Sequence, residues 1–189
     1  MALYNLWGKK IPIFGPLNMG LCRGLSFLLG ASAFLNHAPL PWDHWMQRIA
    51  WAAAGVTIYI AAVTHLARIE TQANPPMPPR QIPFYVLVGV LLRFGVLSLT
   101  WHPLLTVQNF FIYAVTAYTI YAAWKIHTKL IRPTPPPIPP MIGQLIRLLL
   151  PLQALYCLGS QRPIGLVCGI LLLVLWPISR NVSRRFYAS

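Results

Sequence analysis

A chain of 189 residues with 57% hydrophobic residues, 9% charged residues and a mean hydropathy of +0.59 is not composed like a soluble domain. Fifteen Lys and Arg stand against two acidic residues, Asp43 and Glu70, for a net charge of +13. The cations sit singly at the ends of apolar blocks, not on one basic, aromatic-rich face. This excludes nucleic acid as a partner and points to anionic headgroups beside membrane spans.

The chain opens with Lys9 and Lys10, followed by neither a direct apolar run nor a small-residue cleavage site. Residues 1–16 therefore read as an N-terminal interfacial segment instead of a cleaved signal peptide. Residues 17–189 read as one transmembrane helical domain. Six apolar blocks follow, over 17–36, 46–67, 82–101, 104–124, 141–159 and 162–179. A helix needs about 20 residues to cross a bilayer core, and these blocks are near that length. The third and fourth are separated only by His102 and Pro103, and the fifth and sixth only by 160–162, so each pair reads as a tight helical hairpin. Proline-rich loops are expected over 74–83 and 133–140, as stiff connectors in extended conformation.

The cations alternate by gap. Lys9, Lys10, Arg68, Arg80, Lys125, Lys129, Arg132, Arg180, Arg184 and Arg185 fall in one set of compartments, ten in all, and Arg162 alone in the other. The positive-inside rule places both termini and both proline-rich loops in the cytoplasm, and an odd number of spans would ruin the alternation. The expectation is thus an all-α integral membrane bundle of about six transmembrane helices, in a bacterial inner membrane. Four further arginines lie within blocks. Arg48 can snorkel to the outer interface. Arg23 and Arg147 lie about two turns inside their cytoplasmic ends. Arg93 is near mid-helix, where a charge is expected to face the bundle interior or a wet cavity. With no mid-helix carboxylate to pair with, Arg23, Arg93 and Arg147, with Arg68 beside them, are candidates to bind anions or lipid headgroups.

Three stretches carry a resemblance: Gly20-Leu-Cys-Arg-Gly-Leu-Ser-Phe-Leu-Leu-Gly-Ala-Ser32, Tyr59-Ile-Ala-Ala-Val-Thr-His-Leu-Ala-Arg-Ile-Glu70 and Leu175-Trp-Pro-Ile-Ser-Arg-Asn-Val-Ser-Arg-Arg-Phe-Tyr187. In this order the chain resembles the C-terminal part of the UbiA-type membrane prenyltransferases. The resemblance implies an all-helical bundle in which two aspartate-rich motifs hold Mg²⁺ and the diphosphate of a polyprenyl donor. The first of those motifs belongs to the family's N-terminal part. The second should fall after the second helix, where this sequence reads Arg68-Ile-Glu-Thr-Gln-Ala-Asn74. Mg²⁺ needs hard oxygen ligands. One glutamate, Glu70, stands there as a candidate remnant of the motif, so no catalytic residue and no metal ligand is carried over.

Three functions follow as expectations. The first is a non-catalytic, UbiA-like subunit or lipid- or quinone-binding scaffold of a larger complex, with membrane lipids and other membrane subunits as partners. The alternative is a prenyltransferase, or half of a split one, which would need Mg²⁺. The third is a haem- or pigment-binding subunit that uses His65 and His127, both towards the inner face. A Ser-His-Asp set and a glycine-rich phosphate loop are absent from the sequence. Cys22, Cys157 and Cys168 form no CxxC pair and read as buried free thiols. Ala50, Ala54, Gly55, Ala61 and Ala62 would let the second helix approach a neighbour closely.

Overall fold

The computed structural model describes residues 14–32, 42–69, 77–101, 107–132, 138–160 and 163–187. Every regular element among them is helical: α1 (Phe14–Ser32), α2 (Trp42–Ile69), α3 (Met77–Trp101), α4 (Val107–Leu130), α5 (Ile138–Arg147), α6 (Leu149–Leu158) and α7 (Pro163–Tyr187). Two stretches, Met46–Ile69 and Pro139–Leu158, are long and apolar enough to cross a membrane. The chain divides into two compact units, Met1–Val86 and Leu87–Ser189, with the boundary inside α3.

In the first unit α1 lies antiparallel against α2. The buried residues of α1 are Pro16, Gly20 and Gly24, spaced one helical turn apart on one face. A methyl added at Gly20 would collide with the carbonyl oxygen of Thr57 and sit 3.1 Å from Ala61 Cβ. One added at Gly24 would collide with Thr57 Oγ1 and sit 3.1 Å from the Ala53 carbonyl oxygen. The seam is therefore small residue on small residue, with backbones in near contact. The Thr57 hydroxyl donates to the Ala53 carbonyl at 2.8 Å, so no polar hydrogen is stranded in the seam. Of the small residues expected to matter on α2, Ala61 lines the seam, whereas Ala50 is exposed and Ala53 and Thr57 take the remaining places.

The second unit repeats the device. Gly165 and Gly169 of α7 lie against α6, where added methyls would collide with the Cys157 carbonyl and Ser160 Oγ, and meet Leu158 Cγ at 2.8 Å. The unit's core is a leucine stripe, Leu145, Leu148, Leu152, Leu155 and Leu158, joined by Ile112, Ala123, Ile126 and Leu130 of α4. From α3, Phe94 meets Tyr156 edge to face at 5.4 Å between ring centroids.

Four expectations are corrected. The fifth block is not one regular helix, because Pro151 has no N–H to offer the Arg147 carbonyl and its ring crowds that oxygen. The chain tightens there, with Leu148 N–H bonding Leu145 at 3.0 Å, before Leu152 N–H resumes the α pattern to Leu148 at 3.2 Å. The buried stripe runs straight through the break, so the kink does not rotate the core face. Second, the proline-rich stretches are loops only in part. Met77-Pro-Pro-Arg80 opens α3 and Ile138-Pro-Pro-Met141 opens α5. A first helical turn has no intrahelical use for its amide hydrogens, so prolines fit there at no loss. Third, α1 begins at Phe14, inside the segment expected to be interfacial, and α2, α4 and α7 also outrun their apolar blocks. Fourth, Cys22 and Cys168 are exposed and Cys157 is half-buried, so none is a core thiol. Residues 1–13, the connector residues 70–76 with Glu70, and 133–137 lie outside the described residues, as do the side chains of Asp43 and Arg180–Arg185.

Candidate functional site

The arginines singled out from sequence are divided between the two units. Arg23 and Arg68 belong to the first unit, and Arg93 and Arg147 to the second. Arg23 is exposed on α1 beside the glycine seam, and Arg68 is exposed in the last turn of α2. There it lies among the terminal carbonyls, a favourable place for a cation. Arg93 is exposed on α3. Arg147 is half-buried and folds back along α5, its Nη2 3.7 Å from where a Gly143 Cβ would be. The side chains described include no Asp or Glu.

One cation escaped the sequence reading. Arg80 was grouped with the loop cations, yet it lies in the first turn of α3 and is 8% exposed. Its Nε has no hydrogen-bond acceptor. The Pro-Pro pair before it looked like a connector, which hid the helix start and so hid the burial. The signal available was the Pro-Pro-Arg order itself, since prolines in a first turn commit the next residue to helix.

The histidines divide likewise between the units. His65 is half-buried on α2, one turn before Arg68. His127 is buried on α4, three residues beyond the 104–124 apolar block, and burial pulls its pKa below the usual value of 6.5. Among the described residues no three His, Cys, Asp or Glu come together to hold a metal ion.

Aromatic side chains crowd the outside of the second unit. Phe110, Phe111, Tyr118, Tyr121 and Trp124 are all exposed on α4. Tyr118 meets Trp176 of α7 edge to face at 5.3 Å, and the Lys125 ammonium stands 5.3 Å from the Tyr121 ring centroid. Such a surface suits a membrane–water boundary better than a reaction centre. No family model, curated protein or solved structure matches the chain.

Proposed function

We propose that the chain is a membrane-embedded helical scaffold: six spans, both termini cytoplasmic, a non-catalytic, UbiA-like subunit of a larger complex in a bacterial inner membrane. The observation that carries this reading is the inverted distribution of side-chain size. On α1 Gly20 and Gly24 are buried, while Leu17, Met19, Leu21, Leu25 and Leu29 point outward, Leu29 at 75% exposure. On α7 Gly169 is buried, while Ile164, Val167, Ile170, Leu171 and Val174 are exposed. Water would not tolerate so continuous an apolar exterior on a lone protein, whereas lipid tails favour it. Two helices long and apolar enough to span, and the ten-to-one division of cations, support the same reading.

The native thiols provide the test. Cys22 and Cys168 are exposed on the protein and lie inside the α1 and α7 apolar faces. In native membranes both are expected to resist maleimide, because lipid suppresses the reactive thiolate, and to label fully once the chain is unfolded in SDS. Prompt labelling of both in intact membranes would place those faces in water and overturn the proposal.

A further inference from the structure

We infer that Arg80 is the centre of a phosphate-binding site at the N-terminal end of α3, occupied in the membrane by the headgroup of an anionic phospholipid. Arg80 is 8% exposed, and its Nε is shut off from water with no acceptor, which is costly unless a charge of opposite sign meets the guanidinium. The described side chains of the first unit include no carboxylate, and Glu70, in the connector before α3, lies outside the described residues. The first turn of α3 adds the positive end of the helix dipole and contains no acidic residue. Pro78 and Pro79 remove two of the amide donors that such a turn normally offers. The guanidinium, not a cradle of amides, is therefore the recognising group, and its planar fork matches the oxygens of a phosphate.

The site stands on burial and geometry. Only the lipid as the source of the phosphate rests on the membrane reading. The experiment follows thermal melting of the full chain in neutral detergent, with phosphatidylglycerol, phosphatidylcholine or inorganic phosphate added at low ionic strength. Phosphatidylglycerol is expected to raise the wild-type midpoint by roughly 5 °C at saturating levels. Arg80→Met should abolish that rise and, without ligand, melt no lower than the wild type, because an unpaired buried charge has been removed. Exposed Arg68→Gln should keep most of the rise. If Arg80→Met fails to fold, Arg80→Lys serves instead. It keeps the charge but loses Nε and the fork, and should bind roughly tenfold more weakly. A rise with inorganic phosphate as well as with phosphatidylglycerol supports the site and assigns it to free phosphate as much as to lipid. The site is overturned by a rise that survives Arg80→Met, by equal affinity in Arg80→Lys, or by no rise in the wild type with either phosphate source. Shielded thiols together with a failed phosphate test would leave the membrane scaffold standing without this site.

Discussion

At the scale of single residues the α1/α2 seam makes an unequal pair of glycines. An added methyl at Gly20 meets a backbone carbonyl, which cannot step aside without moving α2. An added methyl at Gly24 meets the Thr57 hydroxyl, which can rotate if it abandons its 2.8 Å bond to Ala53. Gly20→Ala is therefore expected to destabilise by about 1–3 kcal/mol, and Gly24→Ala by about 1 kcal/mol. Gly30 has nothing within 4 Å, so Gly30→Ala should stabilise by about 0.5–1 kcal/mol through helix propensity alone. Melting of the three variants in detergent checks the order, and equal losses at Gly20 and Gly30 would refute the seam. The seam was legible in outline, since the sequence shows small residues on α2. The partner motif, Gly20-Leu-Cys-Arg-Gly24, was read for its arginine rather than its spacing. Arg80 was illegible for a different reason: burial of one cation depends on where a helix begins, and prolines there are read as punctuation.

At the scale of elements the helices were found where hydropathy placed them, but their ends were not. Apolar blocks mark what contacts oil, whereas a helix continues into polar sequence as long as its backbone bonds close. So α4 runs on to Leu130 through Lys125 and Lys129, and α7 to Tyr187 through three arginines. Pro151 was equally visible in the sequence, but its effect falls four residues upstream, on the Arg147 carbonyl. Pro151→Ala restores the missing donor and should join α5 to α6 as one regular helix. Backbone amides over 148–152 are then expected to exchange on the order of a hundredfold more slowly, if the roughly 3 kcal/mol that an interior proline costs a helix is recovered there. Unchanged exchange there would mean that packing against the neighbours, not the proline, bends the chain.

At the scale of the whole chain, composition foretold an all-helical molecule, and every regular element among the described residues is a helix. The division into two units was not foretold, because hydropathy ranks segments without saying which of them touch. Orientation is the remaining whole-chain property. The cation count predicts that a phosphatase reporter inserted between α3 and α4 is active outside the cytoplasm, whereas one inserted over 133–137 is silent. Activity at 133–137 would break the alternation on which six spans rest. The glycine seams carry a last consequence for energetics. Faces lined by Gly and Ala shed little apolar area when they meet, and in lipid they shed no water at all. The pairing of α1 with α2 should therefore leave almost no heat-capacity signature, and should hold on cooling, where associations driven by water weaken.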